Sequence, residues 1–236
     1  MFTYKNTIQK RFSFESYENK LQKEFNYLLK YFDLNSNRVE TTIDKLEYSL
    51  NQEIEEKPEE QTRVNDLYET QLRSINSFYY HSSITLVHSF FENQLFQLSK
   101  LIQEKTKSKL DISSLNGRDY IKSGLNYLKL TTGLSEDLLN KHKPRLGQFQ
   151  QLRNKIIHDN STYKDEQDKK KLLNDFGKNI EFYDVENKFY LKSDDLPKEY
   201  LEKSMALYRD ILEHLRNIDF IVPTEINENI TVDLPF

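Results

Sequence analysis

A guanidinium, a carboxamide and an imidazole fall within six residues, at Arg153, Asn154 and His158 in the run Gln151-Leu152-Arg153-Asn154-Lys155-Ile156-Ile157-His158. Imidazole titrates near neutral pH, so His158 can take up or release a proton. A guanidinium presents a planar pair of donors, so Arg153 suits the oxygens of a phosphate whose charge grows during reaction. Asn154 is placed to orient either partner. The apolar face of this predicted helix is set by Leu146, Phe149, Leu152, Ile156 and Ile157, and Arg153 falls inside it. A cation there must meet a carboxylate, a phosphate or a wet interface. On a straight helix Asn154 and His158 share a face, whereas Arg153 and His158 project about 140° apart. The two meet only if the helix end unwinds or a second copy of the chain completes the site.

Around this set lies a local positive stretch of Lys141, His142, Lys143, Arg145 and Lys155, and Tyr163 follows as a ring able to stack on a base. Lys169 to Lys171 reads as a solvated helix face. Glu92 sits four residues after His88, which leaves two readings open: it holds Arg153 in place, or it pairs with His88 inside the core. His81 and His88 lack the further ligands that a metal site needs, so neither a metal nor a cofactor is expected. Phe78, Tyr79 and Tyr80 read as packing aromatics. Asp159 and Asn160 read as the helix stop. A second Arg–His pair, Arg209 and His214, has Asp210 after the arginine and reads as an ordinary helix face, with Arg209 able to pair with Glu213.

The elements that must position these groups are helical. Apolar stripes at helical spacing run through Tyr17, Leu21, Phe25, Leu28 and Phe32, then through Val39, Ile43, Leu46, Leu50 and Ile54. With Asp33 to Asn37 as a turn, they predict an N-terminal helical hairpin over Glu15–Lys57 that breaks near Pro58. Val64, Leu67, Tyr68, Leu72, Ile75 and Phe78 form a third stripe. Ile84, Val87, Phe91, Leu95, Leu98 and Ile102 mark the central helix, with Leu86, Phe90 and Phe96 making it apolar on most sides. Leu110 to Asn116 reads as a connection and Arg118 to Leu130 as a short helix. Ser135 caps the next helix, Pro144 opens the one carrying the motif, and Lys164 to Phe176 reads as a solvated helix. Ile180 to Leu191, with Asn187, predicts a small β-hairpin. Pro197 opens the last helix, to about Asn217. The chain thus divides into residues 1–60, the hairpin, with a regulatory or dimerising role; 61–218, a helical bundle; and 219–236, an extended arm.

Composition agrees with an all-α class. The chain has 236 residues, enough for a core without disulfides or metals, and only 5 Gly and 5 Pro. With so little glycine, phosphate-cradling loops are excluded. With no cysteine, thiolate chemistry and cysteine metal sites are excluded. Charged residues make up 31%, and no window approaches a membrane span. Met1 to Phe14 lacks the apolar core of a signal peptide, so a cytoplasmic location is expected. The net charge of −4 leaves nucleic acid to a local patch rather than a global field.

Arg153-Asn154, three residues, then His158 at a helix end, preceded by a buried helix bearing Phe90-Phe91-Glu92, resembles the HEPN domains (higher eukaryotes and prokaryotes nucleotide-binding). The resemblance covers Thr62 to Asn217. It implies an all-α, HEPN-like helical bundle and a metal-independent endoribonuclease of bacterial toxin and abortive-infection systems. It further implies RNA as substrate, a homodimer with a composite site, and an antitoxin or regulatory protein as partner. On this reading His158 is general base or acid, Arg153 clamps the phosphate, Asn154 orients it and Glu92 supports the set. Lys141, Lys143, Arg145, Lys155 and Tyr163 contact RNA. The competing expectation is a non-catalytic bundle of the same kind that binds a nucleotide or a protein. A third is a helical interaction protein in which Arg153 is an interface ion-pair residue.

Overall fold

The computed structural model describes residues 7–111 and 119–223. Helix α1 (Glu15–Glu56) runs unbroken for 42 residues, about 63 Å at the rise of an α-helix. The turn expected at Asp33–Asn37 does not form, so the N-terminal hairpin within Glu15–Lys57 is a correction. The segment contains neither Gly nor Pro, Phe32 is buried, and the polar residues satisfy themselves inside the helix. Asn35 Nδ2 donates to the Tyr31 carbonyl at 2.8 Å, and the Thr41 and Thr42 hydroxyls donate to the carbonyls of Asn37 and Arg38, each at 2.8 Å. The reversal comes at Pro58, and the hairpin partner is α2 (Gln61–Asn76).

From α2 the chain stays helical through a wide turn of π-helix, Ser77–His81, into α3 (Ser82–Thr106). The central stripe of α3 behaves as its sequence predicts: Ile84, Val87, Phe91, Leu95, Leu98 and Ile102 are buried. Burial is not all round, because Leu86 and Phe96 are exposed. Helix α4 (Tyr120–Thr132) is capped by the Asp119 carboxylate, which accepts from Lys122 N at 2.9 Å. Its Gly124 lets the backbone approach Leu95 of α3, where a Cβ would come within 3.2 Å. Helix α5 (Glu136–Asn140) is capped by Ser135 as expected. Helix α6 (Lys143–His158) carries the motif, with Pro144 in its first turn. Helix α7 (Glu166–Phe176) follows, capped by Asp165.

Strand β1 is Thr7–Lys10. Strands β2 (Ile180–Tyr183) and β3 (Lys188–Leu191) form the expected hairpin, paired Ile180 to Leu191 and Tyr183 to Lys188, with Asn187 at φ 52° supplying the left-handed turn residue. Helix α8 (Asp195–Arg216) buries one continuous face, from Leu196 to Leu215, against α3 and α6. After it, β4 (Phe220–Pro223) pairs antiparallel with β1, Lys10 opposite Phe220. The extended character of the arm holds for these residues; the rest of the arm, Met1 to Asn6, and most of the Leu110–Asn116 connection lie outside the described residues. The architecture is an all-α bundle carrying two small antiparallel strand pairs.

Candidate active site

Helix α6 remains regular to His158 and is closed by Asp159, as expected of that residue. Asn160 and Ser161 then adopt φ 50° and φ 59°, two successive left-handed residues neither of which is glycine. Asn tolerates this conformation through its short polar side chain, whereas Ser161 must be held there by its surroundings. Ser161 N–H donates to the Lys155 carbonyl at 3.0 Å, its own carbonyl accepts from Phe189 N at 2.9 Å, and Tyr163 N–H donates to the Asn187 carbonyl at 2.8 Å. The chain leaving the motif is therefore stitched both to the last turn of α6 and to the β2–β3 hairpin. This excludes one of the two routes by which Arg153 and His158 could meet, because the helix end does not unwind. The side chains project about 140° apart from one helix. His158 is exposed and makes no hydrogen bond or ion pair among the described residues.

Arg153 is half-buried on α6. Its Nη1 donates to Asn154 Oδ1 at 3.1 Å, while its Nε is buried and has no acceptor among the described residues. A guanidinium N–H shielded from water without an acceptor is an unmet demand for one. Beneath it lies a satisfied polar core. Phe149 of α6 stacks on Tyr200 of α8, with centroids 4.6 Å apart and planes 7° from parallel. The Tyr200 hydroxyl is 2.8 Å from His88 Nδ1, and His88 Nε2 is 3.3 Å from Glu92 Oε1. All three groups are satisfied when Tyr200 donates to Nδ1 and Nε2–H donates to the carboxylate. Burial first, then the Glu92 charge, pushes the Tyr200 phenol well above its ordinary value, and the Arg153 charge works against both. Of the two readings for Glu92, the pair with His88 is the one that forms. Arg153 feels the same cluster through its charge, without an ion pair to Glu92 among the described residues.

Most of the expected RNA-contacting set is engaged inside the fold. Arg145 donates Nε and Nη2 to the two oxygens of Glu199 at 2.7 and 2.6 Å, and Nη1 to the Asp175 carbonyl at 2.6 Å. Lys155 pairs with Asp168 at 2.5 Å, both largely buried. Lys143 pairs with Glu136, which also holds Lys129. Tyr163 is only 5% exposed and its hydroxyl donates to Asp184 at 2.5 Å, so its ring offers no face to a base. Lys141 alone of the five is exposed without an ion pair among the described residues. Lys169 also pairs with Asp184, at 2.5 Å. The second Arg–His pair is structural. His214 Nε2 donates to the Thr132 carbonyl at 3.0 Å, and Asp210 pairs with His142 at 2.9 Å. The expected Arg209–Glu213 pair is absent among the described residues.

Two features escaped the sequence reading. His81 is buried, with Nδ1 3.1 Å from Ser77 Oγ and 3.0 Å from Ser161 Oγ, and burial lowers its pKa to about 4. It ties the wide turn to the segment following the motif. The spacing of Ser77 and His81, four apart, was the only local signal; Ser161 is joined to them only by the fold. Second, Phe78 does not pack with Tyr79 and Tyr80 but is 82% exposed.

The described residues form an all-helical bundle with a half-buried arginine whose charge reaches a His–Tyr–Glu core. Compared with family models, curated proteins and solved structures, the chain has no match. No helix of the described residues is long and apolar enough to cross a membrane.

Proposed function

We propose that the chain is a metal-independent endoribonuclease of the HEPN type, acting as a toxin or effector in bacterial phage defence. The single observation that carries the reading is the Arg153 Nε, buried and lacking an acceptor among the described residues, one residue from Asn154 and at the helix end that exposes His158. In the proposed reaction the ribose 2′-oxygen bonds to the adjacent phosphorus and the P–O5′ bond breaks, leaving a 2′,3′-cyclic phosphate and a 5′-OH. His158 accepts the 2′-OH proton or supplies the one gained by the 5′-oxygen. Arg153 meets the charge growing on the phosphorane oxygens, and Asn154 fixes the guanidinium that it already touches. Because the two groups diverge on one helix, the site is composite, with Arg153 from one copy facing His158 of another. Ile157, 47% exposed beside His158, and Leu86 and Phe96 on α3 leave apolar surface on the two helices concerned.

Incubation with total RNA tests the reading. Wild type is expected to cut, with cyclic phosphate at the new ends, and Arg153→Ala and His158→Ala to lose cutting. Intact RNA with wild type, or undiminished cutting by both variants, would overturn it. A specific observation favours a second reading, a non-catalytic bundle of the same kind that binds a nucleotide or protein. Arg145, Lys143 and Lys155 are already paired internally, which leaves little free positive surface beside the motif.

A further inference from the structure

A polar cleft of about 240 Å³ opens between α2, the wide turn and the β2–β3 hairpin. It lies at the same end of α6 as His158, because Asn160 and Ser161, two and three residues further on, line it. Arg73 lies over the Tyr183 ring, its guanidinium carbon 4.1 Å from the centroid, with Glu69 no nearer than 3.6 Å. The Lys188 ammonium in the same cleft is neutralised by Glu186 at 2.5 Å. Arg73 is thus the cation with donors to spare. Ser77 and Ser161 add hydroxyls, held in place by His81. Phe78 lines the cleft yet is 82% exposed. A ring so exposed contributes little to folding, and beside serines and a stacked arginine it suits a planar ligand with a polar edge better than an apolar protein side chain.

We propose that this cleft seats one nucleotide of single-stranded RNA flanking the cleaved linkage, its base on Phe78 and its phosphate on Arg73. The inference rests on the nuclease reading for the identity of the strand, and the cleft's size limits it to a single unit.

The test uses full-length His158→Ala protein and a short fluorescein-labelled single-stranded oligoribonucleotide, with binding followed by anisotropy. Adding Phe78→Ala is expected to weaken binding about tenfold, and Phe78→Tyr to preserve it. Adding Arg73→Ala is expected to weaken binding similarly and to lower the salt slope by about one. Phe78 is exposed while the Arg73 side chain is 21% exposed, and matching thermal unfolding confirms folded variants. Unchanged affinity in Phe78→Ala and Arg73→Ala would overturn the proposal even if wild type cuts RNA. Phe78-dependent binding of adenosine monophosphate without binding of the oligomer would also overturn it, assigning the cleft to a free nucleotide. Phe78-dependent RNA binding by a chain that cuts nothing would uphold the cleft and defeat the nuclease reading alone.

Discussion

Arg145 and Arg153 stand on the same helix, and each lies among apolar residues, yet they do opposite work. Arg145 spends every donor group: a two-pronged bond to Glu199, the Asp175 carbonyl, Gln148, and the faces of Phe149 and Phe176 at 4.8 and 5.2 Å. Arg153 spends one donor on its neighbour Asn154 and keeps a buried Nε without an acceptor among the described residues. The first end of α6 is bonded into the fold; the second carries a buried donor without an acceptor among the described residues. A charge whose nitrogens are bonded inside the fold contributes stability, whereas a buried donor left without an acceptor costs it.

This contrast can be broken by exchanging what each arginine should lose. Arg153→Ala is expected to lower RNA cleavage by about 10²–10³-fold, with thermal stability near wild type. Arg145→Ala is expected to do the reverse. It leaves cleavage per folded molecule unchanged and costs about 2 kcal/mol of stability in denaturant unfolding, less than a fully buried pair because water reaches both partners. Loss of stability in Arg153→Ala matching that in Arg145→Ala would erase the distinction.

Acid sharpens it, because the segment after His158 hangs on a histidine that resists protonation. His81 is expected to stay neutral down to about pH 4 in the folded chain, against 6.5 when unfolded. Between these values the unfolded state binds the extra proton, so the stability is full above pH 6.5 and falls as pH drops toward 4. The total is about 3 kcal/mol. Among the described residues, Tyr190 is the other titrating ring packed against it, and it stays uncharged across this range. Comparing wild type with His81→Asn across this window isolates the step, which the variant should lack. The smallest effect is expected at the satisfied core. Tyr200→Phe keeps the stack on Phe149 and loses only the bond to His88, costing about 1 kcal/mol of stability.

Much of the scaffold was legible from residue spacing because it is local. The α3 stripe, the Ser135 cap and the Asn187 turn each rest on residues within a few positions of one another. The Asp33–Asn37 segment misled because Asn and Ser clusters favour turns, while here the Asn35 side chain bonds back to the preceding helical turn. The β1–β4 pair could not be read at all, since its register joins residues more than two hundred positions apart. In the site, the helix-end placement of Arg153, Asn154 and His158 was visible. That Arg145, Lys155 and Tyr163 would be consumed was not, because Glu199, Asp168 and Asp184 reach them only through tertiary packing.

The central claim, that one copy's Arg153 works with another copy's His158, is tested most directly by complementation. Arg153→Ala and His158→Ala chains, each inactive alone, are co-expressed and purified together, and cleavage of total RNA is measured. Random pairing makes half the dimers mixed, each with one intact site, so about a quarter of wild-type activity should return. A co-purified mixture as inactive as either variant alone, beside a wild type that cuts, would contradict the account.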